Sequence, residues 1–68
     1  MEPRRFSPAA YEDIQPILVA LKQGVALEID IPTDRLVARR LVDTLSGAVF
    51  ALDGRMRKIG NRYKAIRG

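Results

Sequence analysis

The 68-residue chain has no cysteine and no histidine, and its aromatic rings are Phe6, Tyr11, Phe50 and Tyr63 alone. Without cysteine, neither a disulfide nor a thiolate metal site can staple a small fold. Without histidine, the commonest metal ligand, the commonest general base and the side chain that titrates near neutrality are all missing. A nucleophile–base pair would have to join serine to lysine. The two serines have plainer uses, since Ser7 precedes a proline and Ser46 precedes Gly47. No glycine-rich phosphate loop is present, because Asp53-Gly54 and Gly60-Asn61 are separate turns and neither opens a helix. Glu12 and Asp13 are adjacent acids that cannot converge from one helix face. Glu28 and Asp30 do share a strand face, but a solvated or interface-facing pair explains them better than a cation site. An enzyme is therefore not expected, and neither is a resident cofactor or metal.

Long apolar runs are also missing. No stretch is long enough to span a bilayer, and the start, MEPRRF, lacks the apolar core of a signal peptide. The expected location is the cytoplasm. A chain this short makes one domain and buries only about 60% of the surface that its unfolded form exposes. With no covalent staple, self-association is the expected supplement to its core.

What is present is charge and periodicity. Twelve Lys and Arg against eight Asp and Glu give a formal net charge of +4. Half of the basic residues, Arg55, Arg57, Lys58, Arg62, Lys64 and Arg67, follow Asp53, and no acid follows it. Such an end suits an acidic peptide, a phosphate backbone or an anionic surface.

The pattern predicts a short strand at 4–6, broken by Ser7-Pro8. Tyr11, Ile14, Ile17, Leu18 and Leu21 then recur at helical spacing, with acids in the first turn, Gly24 as the stop and Val19 on the polar side. Pro16 predicts a kink or a late start. Residues 25–31 alternate cleanly, with Val25, Leu27, Ile29 and Ile31 on one face. Asp34 is placed to cap a second helix that ends at Ser46-Gly47. Its inner arc holds Val37, Ala38, Leu41, Val42, Thr44 and Leu45, and Asp43 can pair with Arg39 or Arg40 on the outside. Residues 48–52 are apolar on both faces and read as a central strand, with Phe50 in the core. Asp53-Gly54 reads as a hairpin turn, followed by strands at 55–59 and 62–66. In the first of these, Arg55, Arg57 and Ile59 oppose Met56 and Lys58. In the second, Tyr63 and Ala65 oppose Arg62, Lys64 and Ile66. The expected fold is α/β (α+β), a two-layer sandwich of order β-α-β-α-β-β-β, with two helices on one face of a mixed sheet of about five strands.

Two stretches, ARRLVDTLSGAVFALDG at 38–54 and KIG at 58–60, resemble the SepF family of cell-division proteins. YEDIQPI at 11–17, Leu21-Lys22, Gly24 and Pro8 extend the resemblance over nearly the whole chain. It implies a small domain that forms tight dimers and polymerises, and that binds the C-terminal peptide of FtsZ, the tubulin-like division GTPase. It also implies tethering of FtsZ filaments to the membrane through an N-terminal amphipathic helix and linker outside this sequence. The expected unit is thus one SepF-like domain, 1–68, acting at the division site. Its expected partners are itself and the FtsZ tail.

The resemblance makes Arg57, Lys58, Tyr63 and Lys64 the candidate peptide-binding residues. Lys58 is the basic residue before Ile-Gly, and Tyr63 or Lys64 stands at the aromatic position of the last strand. Leu36, Arg40, Asp43 and Gly47 are the candidate self-assembly residues. Asp30 stands where the family has Asn or similar, and Thr44 stands where it has an aromatic, at a cost in core volume. Two alternatives remain. One is a small basic dimeric module that binds nucleic acid, which the scarcity of stacking rings disfavours. The other is a family member that assembles but has lost the FtsZ site.

Overall fold

The computed structural model describes residues 3–68. Its elements are β1 (Arg4–Phe6), a single 3-10 turn (Tyr11–Asp13), α1 (Ile14–Lys22), β2 (Leu27–Asp30), α2 (Arg35–Ala51), β3 (Arg55–Ile59) and β4 (Arg62–Ile66). The strands form one mixed sheet in the order β1-β2-β4-β3. β1 runs parallel to β2, and β4 is antiparallel to both β2 and β3. Both helices pack on one face. Ile14, Ile17, Ala20 and Leu21 of α1 meet Leu41, Leu45 and Val49 of α2 over Leu27, Ile29 and Ala65 of the sheet.

Pro16 is the third residue of α1, within the first turn, where a missing N–H breaks no intrahelical bond. The start of the helix is delayed behind the 3-10 turn, as the proline predicts. The Asp13 carboxylate accepts from the backbone N–H groups of Ala9 and Ala10 at 2.9 and 3.0 Å, which fixes the chain's entry into this turn. The Ala10 bond, followed by the Ala9 bond, holds the Asp13 carboxyl below its ordinary value. α2 begins at Asp34, whose carboxylate accepts from the N–H groups of Leu36 and Val37. Thr44 is not simply lost core volume, because its hydroxyl lies 2.9 Å from the Tyr11 hydroxyl and ties α2 to the 3-10 turn.

The sheet has four strands, because residues 48–52 do not form one. α2 runs through Ser46 and Gly47 to Ala51, with Leu52 as its C-cap. Continuing the helix places Val49 one turn beyond Leu45, which is itself one turn beyond Leu41, and all three reach the core. A strand would have directed both Val49 and its neighbours across a sheet that has no place for them. The cost is Phe50, which is 85% exposed and lies outside the core in which it was expected.

Asp53-Gly54 is accordingly a helix end and not a hairpin turn. Asp53 adopts a left-handed φ of 55°, its N–H donates to Phe50 O at 3.1 Å, and the Gly54 N–H donates to Val49 O at 2.8 Å. This is the Schellman arrangement, in which two otherwise orphaned carbonyls are satisfied. Gly54 is needed for closeness and not for its φ. A Cβ there would overlap the Ile66 carbonyl oxygen and lie 2.8 Å from Arg67 Cα. The sheet's tight hairpin is instead at Gly60-Asn61, between Ile59 and its cross-strand partner Arg62. Gly60 alone takes positive φ there, at 61°, as a two-residue loop of the II′ kind requires.

Candidate partner-binding surfaces

The alternation of β3 and β4 divides the basic C-terminal residues between two faces. Lys58 and Tyr63 are cross-strand partners on the helical side. Arg57 and Lys64 are cross-strand partners on the open side. The four candidate peptide-binding residues therefore belong to two surfaces on opposite faces of the sheet, and only Lys58 and Tyr63 lie on the same side as α2.

On the helical side, Lys58 and Tyr63 line a groove of about 240 Å³ with Ile31 and with Ala38, Arg39, Val42 and Asp43 of α2. Its rim carries the cations Arg39 and Lys58 and the single acid Asp43. Its floor is apolar. Ile31, Val42 and Tyr63 also border a small, partly open cavity of about 20 Å³, lined mainly by apolar groups that include Ile17, Leu41 and Leu45. A segment lying in the groove would thus meet positive charge at the rim and hydrocarbon beneath it.

The open face of the sheet has no helix over it. It carries an ionic row, Arg5–Glu28–Lys64–Arg57, beside a second row of Asp30, Arg62 and Ile59. Lys64 pairs with Glu28 at 3.7 Å. Asp30 accepts from Arg62 Nε at 3.0 Å, pairs with Arg5 at 3.2 Å and accepts from the Ser7 hydroxyl at 2.6 Å. The Ser7 bond does most to hold the Asp30 carboxyl below its ordinary value. Desolvation opposes it, and the Arg5 and Arg62 guanidinium groups add to it. Glu28 and Asp30, weighed above as a cation pair, each face basic side chains instead. Ile59 and Ile66 are 47% and 42% exposed on this face. Near Ile66, a shallow hollow of about 320 Å³ runs between Pro3, Ala26, Arg55 and Arg57. No aromatic ring projects from the described strands on this side, so the most basic surface offers no base-stacking platform.

The third surface is the outer ridge of α2. Leu36, Arg40, Asp43 and Gly47 recur at intervals of four, three and four, and all are exposed along one stripe. Leu36 is 75% exposed, and Phe50 continues the stripe one turn beyond Gly47. Sequence reasoning missed Phe50 because it read the segment as a strand. A helical wheel extended past Gly47 puts Phe50 beside Asp43 and Gly47. Gly47 lies inside the helix and not at its end, and a Cβ there would meet nothing within 4 Å. Arg40 stacks its guanidinium 4.3 Å from the centre of the Tyr11 ring. The local pairs expected for Asp43 with Arg39 or Arg40 do not form among the described residues. No helix of the described residues is long and apolar enough to cross a membrane.

Known proteins share this sequence and this fold. A family profile described as Cell division protein SepF matches residues 4–66. The chain is 43% identical over 56 residues to the cell division protein SepF of Limosilactobacillus reuteri, covering 81% of this chain and 41% of that protein. It is 40% identical over 57 residues to the SepF of Anoxybacillus flavithermus, covering 82% of this chain and 40% of that protein. It thus spans about two-fifths of the length of these relatives. A solved structure, a SepF-like protein from Archaeoglobus fulgidus, superposes with a TM-score of 0.82 over 94% of this chain and 81% of that one. At 18% identity, that likeness speaks for the fold. With the profile match and the close relatives in agreement, the chain belongs to the SepF family of cell-division proteins.

Proposed function

We propose that this chain is a self-associating adaptor that binds the C-terminal tail of FtsZ in the groove between α2 and the β3–β4 hairpin and links copies through its uncovered surfaces. The observation that carries the reading is the pairing of Lys58 with Tyr63 beside an apolar-floored groove. A short extended tail with an acidic group and an apolar side chain matches that combination. The cation supplies attraction and orientation, and the apolar floor supplies burial. Arg57 and Lys64, on the opposite face, are left out of the peptide site.

Self-association rests on the two other surfaces. The α2 ridge exposes Leu36 and Phe50 with Gly47 between them, so a partner helix can approach closely at the glycine. The open sheet face exposes Ile59 and Ile66 on the other side of the molecule. Two interfaces on opposite sides, each pairing with its like, build a chain of dimers and not a closed pair. Each added copy displays another groove, and weak tail sites then gain avidity on a filament that presents many tails.

The test is fluorescence anisotropy with a labelled FtsZ C-terminal peptide. Saturable binding is expected. Lys58→Glu is expected to weaken it at least about tenfold, equivalent to about 1.4 kcal/mol, with an unchanged circular dichroism spectrum. Arg57→Glu, on the other face, is expected to leave affinity within about twofold. Equal loss in both variants would show attraction by net charge and remove the groove from the account.

A further inference from the structure

We propose that Ser7 is a phosphoacceptor for an arginine-directed serine kinase, and that a phosphoryl group there takes Arg5 and Arg62 away from Asp30. The inference is independent of the peptide groove, which lies on the other side of the sheet. Ser7 is exposed, and it follows β1, an edge strand of three residues that is paired only with β2. Arg4 and Arg5, the third and second residues before it, are both exposed; they point to opposite faces of β1, Arg4 over the Phe6 ring and Arg5 toward Asp30, and an acidic kinase cleft takes up both as β1 leaves β2. The backbone through β1 is already extended, and little pairing must open to free it.

The surroundings of the hydroxyl suit the product. Ser7 Oγ donates to Asp30 at 2.6 Å, and the same carboxylate draws in Arg5 at 3.2 Å and Arg62 at 3.0 Å. Two guanidinium groups from different strands therefore already converge within reach of Oγ. Transfer joins Ser7 Oγ to the γ-phosphorus of ATP and breaks the bond from that phosphorus to the β,γ-bridging oxygen. ADP leaves, and the hydroxyl proton passes to the kinase's own base. The phosphoserine carries about −1.5 to −2 charge at neutral pH and offers three strong acceptor oxygens, against the single charge of Asp30. Both arginines gain by moving to it, since guanidinium–phosphate pairs are charge-assisted and often bidentate. Asp30 then loses its hydroxyl donor and its cations together. Counting Asp30, Arg5 and Arg62, that corner of the open face changes from a net positive charge of one to a net negative charge of about 0.5 to 1, opposite the basic edge at β3.

The experiment treats the folded chain with the catalytic subunit of an arginine-directed serine kinase and γ-labelled ATP, then maps the label by mass spectrometry. One phosphoryl group at Ser7 is expected, with none in Ser7→Ala. Phosphorus NMR then follows the second ionisation of the product against pH, in buffer and in concentrated urea. In the folded protein the midpoint is expected about half a pH unit or more below the urea value, which lies near about 6. In Arg62→Gln it should return part of the way, because Arg5 remains. Failure of the folded chain to take label at Ser7 overturns the proposal, as does a folded midpoint equal to or above that in urea.

Discussion

The two helices end in the same hydrogen-bond pattern with different residues in its strained position. At the end of α1 the left-handed residue is Gly24, with φ 84°; Gly24 N–H donates to Leu21 O, and Val25 N–H donates to Ala20 O. At the end of α2 the equivalent place is held by Asp53, and glycine comes one residue later. Glycine adopts the left-handed region at no steric cost, whereas an L-residue pays about 1–2 kcal/mol. One stop is therefore written in the residue that relieves strain, and the other in a residue that tolerates it. In α2, closeness to the C-terminal end of β4 is what demands the glycine, and closeness is invisible in a linear pattern.

Substitutions at these ends sharpen the contrast. Gly54→Ala should have the largest effect, a loss of about 2–3 kcal/mol, because the added methyl meets backbone atoms of Ile66 and Arg67 that cannot swing aside. Urea denaturation would check it, and a loss under about 0.5 kcal/mol would show that the β4 end gives way freely. Gly24→Ala should cost about 1–2 kcal/mol from backbone strain alone, since the space around Gly24 is open to within 4.0 Å of Arg67 Cδ. Next comes Gly47→Ala, which should stabilise the single chain by about 0.5–1 kcal/mol and raise the melting temperature by a few degrees. If the α2 ridge joins copies at that glycine, sedimentation at matched concentrations should show weaker association in the same variant. Asp53→Gly should have the smallest effect, a gain of a few tenths of a kcal/mol up to about 1, because relief of strain is partly offset by a freer unfolded chain. A loss of stability there would mean that the Asp53 side chain contributes more than its backbone strain costs.

The same contrast explains what could be read in advance. β1, α1, β2 and the two C-terminal strands follow from alternation, helical spacing and Gly24, all local signals that the packing leaves in force. The last third of α2 was hidden by coincidence. Ser46-Gly47 imitates a helix stop, residues 48–52 imitate a buried strand, and Asp53-Gly54 imitates a hairpin. The fourfold spacing of Leu41, Leu45 and Val49 was the opposing signal, and core packing decides in its favour over the about 1 kcal/mol cost of an interior glycine. Of the candidate residues, the α2 stripe held together because helical geometry keeps residues four and three apart on one side. The peptide set did not, because neighbouring strand residues point to opposite faces, and so Lys58 and Tyr63 separate from Arg57 and Lys64.

The position of β4 has a consequence for how the protein folds. The last strand in the chain lies between β2 and β3, and each of those finds its antiparallel neighbour only there. Until β4 docks, β2 and β3 both have an unsatisfied edge, and the loop closed when Leu27 meets Ala65 spans more than half the molecule. The fold therefore completes when β4 docks and not progressively from the N-terminus. A partly folded chain in which β4 is out of place exposes strand edges that the finished sheet conceals.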